Sequence, residues 1–387
     1  MTYAKFAAIR REVDAQIHER GDVTRCGLVA IVAQEHMIMA GPAGLAKSMH
    51  ARAVFRRSAG GRYLEMDLSE STTPEDVFGP LDVPAYVNDG QYRQVLTGGL
   101  ADVEFFMGDE FFNVNQVTGH KLMPALNERV YKVGGRLVKI PLMTMFSGTN
   151  KIIADDPEFM PIWDRIALRV VVDYIQDPDT RLAMSLESLA RRAAGQDRTD
   201  TRTPGAQFTT LTLDEVRQAG QEALALEIPQ RVMEGYRDLS QDLRSQGIVL
   251  SDRRVGTSWP LVMANAWLNG HDEVWLSDLD ILVHSWWTTF DNKAKAFSLI
   301  TEAVNPILAD IMALQRDLSS FKAEFAALDG QDPLHQRNGL QNVMKNVAQA
   351  TTKLTALGDD SRATKLAGEY EAFKDKCLNA YQTTLGF

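Results

Sequence analysis

The segment Gly41-Pro-Ala-Gly-Leu-Ala-Lys47-Ser48 sets a lysine and a hydroxyl at the end of a glycine-bearing turn, between the apolar run 36–40 and a helical pattern. Such a turn lets backbone N–H groups approach phosphate oxygens, and the helix start adds its positive end. The candidate cradle is Gly41, Pro42, Ala43, Gly44, Leu45, Ala46, Lys47, Ser48 and Met49. Lys47 would reach the β- and γ-phosphates of a nucleoside triphosphate, and Ser48 would ligate Mg²⁺. The general G-x₄-G-K-[ST] pattern asks for glycine where this chain has Ala46.

A second constellation follows about sixty residues on, a spacing read from the chain. Val103-Glu-Phe-Phe-Met-Gly-Asp109-Glu110 is an apolar run ending in two acids. Adjacent carboxylates at a strand end repel unless a cation or solvent offsets them. Asp109 suits the Mg²⁺ shell, and Glu110 suits the task of orienting an attacking water. The plain alternative is an exposed acidic turn. Ser147-Gly-Thr-Asn150 ends another apolar run, and its amide could bond the γ-phosphate or the water. Trp163-Asp-Arg165 precedes a further run. There Arg165 could stabilise transition-state charge at a neighbouring subunit's nucleotide, or form a surface ion pair with Asp164. In Ser251-Asp-Arg253-Arg254, either arginine could touch phosphate, or both could be helix-start surface charge.

Elements must bring these residues together. Short apolar runs at 36–40, 63–67, 104–107, 142–147 and 169–175 read as strands, with helical stretches between most of them. Strands alternating with helices imply a mostly parallel sheet, whose ligands bind beyond the carboxyl ends of the strands. Residues 4–20 and 24–34 read as two helices ahead of the first strand. The expected division is an α/β nucleotide-binding domain over 1–195, a polar linker over 196–212, a small helical lid over 213–290 and a helical hairpin or three-helix bundle over 291–387. Within the lid, helices are expected at 213–225, 229–246, 253–268 and 276–287, with Thr212 as a cap. Ile307, Ile311, Leu314, Leu318, Phe321, Phe325 and Leu328 step alternately by four and three, which marks a heptad seam inside the bundle. Trp286 and Trp287 are expected to pack the lid against the C-terminal helices, and Arg52, Arg56, Arg57 and Arg62 to form a solvated basic face.

The 387 residues carry a net charge of -10, which argues against binding duplex DNA by charge neutralisation. Two distant cysteines, Cys26 and Cys377, fit a reducing cytoplasm, and no run is long and apolar enough for a membrane span. The seven histidines form no close pair, so no zinc site is expected.

Taken in order, these elements resemble the AAA+ superfamily, and within it the MoxR branch, nearest its RavA type. The resemblance is collinear over about residues 5–300. It includes Thr73-Pro-Glu-Asp-Val-Phe-Gly-Pro-Leu81, Gly90-Gln-Tyr-Arg93, Leu126-Asn-Glu-Arg129, Ser251-Asp-Arg-Arg254 and Ala266-Trp-Leu-Asn-Gly-His-Asp-Glu-Val274. It implies a P-loop AAA+ parallel sheet flanked by helices, a small helical lid and an all-α extension. It further implies ATP with Mg²⁺ as ligand, Lys47 and Ser48 as Walker A, and Asp109 and Glu110 as Walker B. Asn150 would be sensor 1, Arg165 the arginine finger, and Arg253 sensor 2 with Arg254 as competitor. Similar proteins form hexameric rings, act with a partner carrying a von Willebrand factor A domain, and remodel protein clients. The alternatives are a nucleotide-gated scaffold with slow hydrolysis and a DNA-associated motor. Gly108 before Asp109, and Gly148-Thr149 before Asn150, depart from the family pattern. RavA carries a β-rich module within its helical extension. The polar break at 328–335 is too short for one, so bare helices are expected here.

Overall fold

The structure, a computed structural model, describes residues 2–150, 160–193, 208–328, 330–357 and 361–384. The chain divides into two compact units, Met1–Phe297 and Ser298–Phe387.

The first unit opens with helices α1 (Thr2–Gln16) and α2 (Gly21–Ala33), then strand β1 (Met37–Ala40), α3 (Lys47–Phe55), β2 (Ser58–Ala59) and β3 (Tyr63–Asp67). Short helices α4 (Pro74–Phe78) and α5 (Val83–Asp89) lead to β4 (Phe105–Asp109) and α6 (Gln116–Asn127). A hairpin of β5 (Val130–Val133) and β6 (Arg136–Lys139) precedes β7 (Thr144–Thr149), α7 (Met160–Trp163), β8 (Leu168–Val171) and α8 (Pro178–Ala193). Five strands form one parallel sheet in the order β3-β4-β7-β1-β8. β1 and β7 are buried throughout, because neighbours pair on both edges and helices cover both faces. Phe55 of α3 stacks on Phe105 and Phe146, welding that helix to the middle of the sheet. On α2, Gly27 permits close approach: a β-carbon there would meet the Phe146 ring at 3.0 Å.

The 63–67 run is β3 as expected, whereas β4 and β7 each run two residues beyond their apolar runs, to Asp109 and Thr149. Ladder bonding carries them on. Gly108 registers with Ser147, and the Leu68 N–H donates to the Asp109 carbonyl at 2.9 Å. β8 stops early, at Val171. The corner between α1 and α2 captures the chain beyond it: Arg20 donates to the Asp173 carbonyl at 2.6 Å, and the Glu19 carboxylate accepts the N–H groups of Gln176 and Asp177. Three of the four arginines of the basic cluster are paired, while Arg56 stays on the solvated surface. Arg52 bonds Glu65, Arg62 bonds Glu104 and Asp102, and Arg57 is buried against Glu12.

Most of the expected linker, residues 196–207, lies outside the described residues. Its last residues are part of the α/β body. β9 (Leu211–Thr212) pairs in parallel with β2, Thr209 bonds Glu12, and Phe208 lies under the Arg57 guanidinium. Thr212 closes a capping box with Glu215 at the start of α9 (Leu213–Leu224), followed by α10 (Gln230–Ser245). The helix expected at 253–268 is two, α11 (Asp252–Thr257) and α12 (Trp259–Asn269), because Pro260 suits only a first helical turn. The run 276–287 forms a 3₁₀ helix over Leu276–His284. α2 packs against the sheet on one side and against α9 and α12 on another.

α13 (Phe290–Val304) spans the division, and the second unit holds α14 (Pro306–Ala327), α15 (Pro333–Ala356) and α16 (Ser361–Thr384). Ile311, Leu314 and Leu318 of the heptad seam meet Val343, Val347, Leu366, Tyr370 and Phe373 in one core, with Phe321 and Phe325 at its margin. Ile307 of the same seam is 45% exposed. Within this unit the described residues are helices and turns, as the short break at 328–335 implies.

Candidate active site

The loop after β1 turns sharply because two of its residues do what side-chain-bearing neighbours resist. A β-carbon on Gly41 would lie 2.1 Å from the Val172 carbonyl oxygen, so only glycine lets the loop leave the sheet there. Gly44 takes φ +82° at the tip. Pro42, Ala43 and Gly44 are exposed, whereas Leu45 is buried. Ala46, the departure from the glycine pattern, adopts φ 60° and ψ 27° immediately before α3. The loop keeps the left-handed geometry a glycine would favour, and an alanine bears it at a cost of about 1–2 kcal/mol.

Lys47 and Ser48 open α3 and face two different partners. Lys47 Nζ donates to the carbonyls of Gly41 at 2.7 Å and Thr149 at 2.8 Å, binding the loop to the end of β7. Burial lowers the Lys47 pKa, while the charges of Glu110 and Asp109 oppose that shift. Ser48 Oγ donates to Asp109 Oδ2 at 2.5 Å. Asp109 Oδ1 in turn accepts the Glu110 N–H at 3.0 Å. Met49, next in the first turn, is half-buried.

Of the two glycines that depart from the family pattern, Gly148 makes room for this carboxylate and Gly108 for its apolar neighbours. A β-carbon on Gly148 would lie 2.1 Å from Asp109 Oδ1 and 3.4 Å from Lys47 Cε. One on Gly108 would crowd Leu68 and Phe106 at 3.1 Å. Glu110 sits in left-handed geometry with φ 52°, turning the chain out of β4. Its Oε2 accepts the Asn150 N–H at 3.4 Å and lies 3.5 Å from the Asn113 amide. Lys47, Ser48, Asp109, Glu110 and Asn150 thus converge at the carboxyl ends of β1, β4 and β7. Asn113, Gly148 and the Thr149 carbonyl belong to the same cluster. The sequence flagged Gly148 and Thr149 only as an irregularity before Asn150 and gave no signal for Asn113.

The remaining candidates stand on other elements. Arg165 is half-buried on the turn between α7 and β8. Arg253 is exposed in the first turn of α11. Arg254 is 2% exposed and faces the protein interior. Its guanidinium donates to the carbonyls of Trp163, Asp164, Ile166 and Ser285 and to the Asp164 carboxylate. Burial lowers its pKa to about 10, against the pull of Asp164. Such a guanidinium is not presented to phosphate, which corrects the reading of Arg254 as a competitor of Arg253. Trp287, expected against the C-terminal helices, packs instead with Trp163 and Phe290, while Trp286 packs on Tyr236.

Ile17, Arg20, Val23, Leu45, His50 and Val172 close tightly together beside the loop. His50 bonds Thr24 at 3.1 Å, and burial brings its pKa down to about 4, so its ring is neutral there at pH 7. Ser48 and Asp109 offer hydroxyl and carboxylate oxygens, the donors a hard cation such as Mg²⁺ takes alongside water and phosphate. Among the described residues there is no cluster of three or more His, Cys, Asp or Glu able to hold a metal unaided. None of their helices is long and apolar enough to cross a membrane.

Comparison with known proteins bears on the family and the fold. Residues 4–215 match the family described as the MoxR domain in the MoxR-vWA-beta-propeller ternary systems, and residues 231–300 match an AAA lid domain. An uncharacterised protein of Methanocaldococcus jannaschii, MJ0079, is 27% identical over 326 residues, covering 84% of this chain and 81% of its own. A second from the same organism, MJ0812, is 29% identical over 283 residues, covering 73% and 71%. The crystal structure of a candidate ATPase from Cytophaga hutchinsonii superposes with a TM-score of 0.61 at 14% identity, covering 79% of this chain and 95% of that one, and so shares the fold. The chain belongs to the MoxR family of AAA+ ATPases.

Proposed function

We propose that the protein hydrolyses ATP with Mg²⁺ and works as a ring, most simply a hexamer, that remodels or activates client proteins. The observation that carries the reading is the convergence of Lys47, Ser48, Asp109 and Glu110, with Ser48 Oγ 2.5 Å from Asp109 Oδ2. Membership of an ATPase family supports it.

In this reading Lys47 exchanges the carbonyls of Gly41 and Thr149 for β- and γ-phosphate oxygens. Ser48 and Asp109 hold Mg²⁺, directly or through water. The ion, when bound, neutralises charge developing on the phosphates. Glu110 orients the attacking water, and Asn150 bonds the γ-phosphate or that water. Arg165 reaches the nucleotide of a neighbouring subunit, a contribution worth roughly 10³–10⁵ in rate where such fingers are established. Arg253, the exposed member of its pair, approaches phosphate from the lid. The family description names systems with a von Willebrand factor A protein, which supports a partner carrying that domain. Cys26 and Cys377 are both buried and free, in keeping with a reducing cytoplasm.

Two variants test the reading together. Glu110→Gln should keep ATP affinity and lose turnover, and Lys47→Ala should lose affinity. Unchanged ATP affinity in Lys47→Ala would remove the phosphate loop from its assigned role. Sedimentation with a slowly hydrolysed ATP analogue should show a discrete ring, and a monomer under saturating analogue would refute assembly.

A further inference from the structure

We propose that Arg254 is a positioning residue that clamps the turn at 163–166 and so aims Arg165 at the neighbouring subunit's nucleotide. The inference rests on the reading of Arg165 just given.

The clamp is built from backbone. Arg254 Nη2 donates to the Trp163 carbonyl at 3.2 Å and the Asp164 carbonyl at 2.9 Å. Its Nη1 donates to the Ile166 carbonyl at 3.4 Å and the Ser285 carbonyl at 3.1 Å. Among the described residues its counter-charge is Asp164, whose Oδ1 lies 3.3 Å from Nη2. Ser251 Oγ donates to both Asp164 oxygens at 2.9 and 3.0 Å, while accepting the Arg254 N–H at 3.2 Å. A buried cation that needed only neutralising could be served by a carboxylate alone. Three carbonyls from one four-residue stretch instead fix the path of the chain that carries Arg165.

The opposite side of the turn is also held. Trp163 Nε1 donates to the Thr288 carbonyl at 3.1 Å, and its ring packs on Trp287 and Phe290. Arg169 lies over both indoles, with its guanidinium carbon 4.9 Å and 5.2 Å from the two ring centres. Lid and α/β body therefore meet at the turn bearing Arg165, and Arg254 makes most of the lid's polar contacts there, with Ser251 and Thr288 adding the others. Only a planar fork of five donors can serve so many acceptors at once; an ammonium has three donors and no such geometry.

The test is Arg254→Lys in the full chain, with ATP turnover and ATP affinity measured separately. Turnover should fall on the order of 10²-fold, the scale set by misplacing a catalytic group by about 1 Å, with affinity retained. Admixed Glu110→Gln subunits, which carry an intact clamp and finger, should restore turnover to the Arg254→Lys subunits. Glu110→Gln subunits that also carry Arg165→Ala should not. Rescue of Arg165→Ala without rescue of Arg254→Lys overturns the clamp and leaves the finger standing. Failure to rescue Arg165→Ala overturns the reading on which the clamp depends. Should Arg254→Lys lose its cooperative melting, Ser251→Ala, which releases one holder of Asp164, carries the same rescue test.

Discussion

Gly148 and Asp109 are fitted to each other: a β-carbon on the glycine would occupy a point 2.1 Å from the Oδ1 atom of the acid. The obstruction would fall on the end of a side chain rather than on backbone, so the carboxylate can swing away. Gly148→Ala should therefore fold almost normally while displacing Asp109 from Ser48. We expect ATP turnover to fall on the order of 10²-fold, with a melting temperature close to the parent's. Unimpaired phosphate release in that variant would separate Asp109 placement from catalysis.

Ala46 holds φ 60° at the entry to α3. Ala46→Gly removes the left-handed penalty of about 1–2 kcal/mol and loses roughly 0.5–1 kcal/mol to the freer unfolded chain. The balance predicts a neutral to slightly stabilising change. Ala46→Val adds a branched β-carbon in the same geometry and should lower stability by more than about 1 kcal/mol. Denaturant midpoints of the pair decide the matter, and a stable valine variant would count against the strain.

Two buried histidines set an acid limit. Burial lowers His36 to about 3 and His50 to about 4, so the folded state binds fewer protons than the unfolded state below about 6.5. Stability present above that value is lost as pH falls toward those lowered pKa values. Glu35 works the other way: burial raises it to about 7, so it favours the folded state as pH falls from 7 toward 4.5. The two histidines outweigh the single acid. Thermal melts should shift downward between pH 6.5 and 4, and His50→Asn should flatten the slope.

Tyr370 of the C-terminal unit is buried, and its hydroxyl donates to the Leu314 carbonyl at 2.7 Å. That bond joins α16 to α14 through the core. Tyr370→Phe should destabilise this unit by about 1 kcal/mol and leave ATP turnover untouched. A change in turnover would tie these helices to the hydrolytic cycle.

The strands were legible because buried runs such as 37–40 and 144–147 are short, apolar and bounded by turn residues. The phosphate loop and the acid pair were legible because their chemistry is local in sequence. What stayed hidden depends on contacts distant in the chain. Nothing in 208–212 announces that it will pair with Ser58 and Ala59, since that edge exists only after folding. Arg253 and Arg254 look alike on paper, and burial alone separates them. Gly148 reads as an irregularity until Asp109 is seen beside it. The hairpin of β5 and β6 went unnoticed because its strands have only four residues each and a mixed burial pattern.

Helix α2 belongs to two neighbourhoods at once, since it lies against β1, β7 and β8 and also against α9 and α12. Its mostly buried residues, from Val23 to Val32, supply both with one continuous interior. Calorimetry of the first 297 residues should accordingly register a single endotherm, and excising the lid would expose half of that helix to water. In evolution, lid and nucleotide fold must drift together.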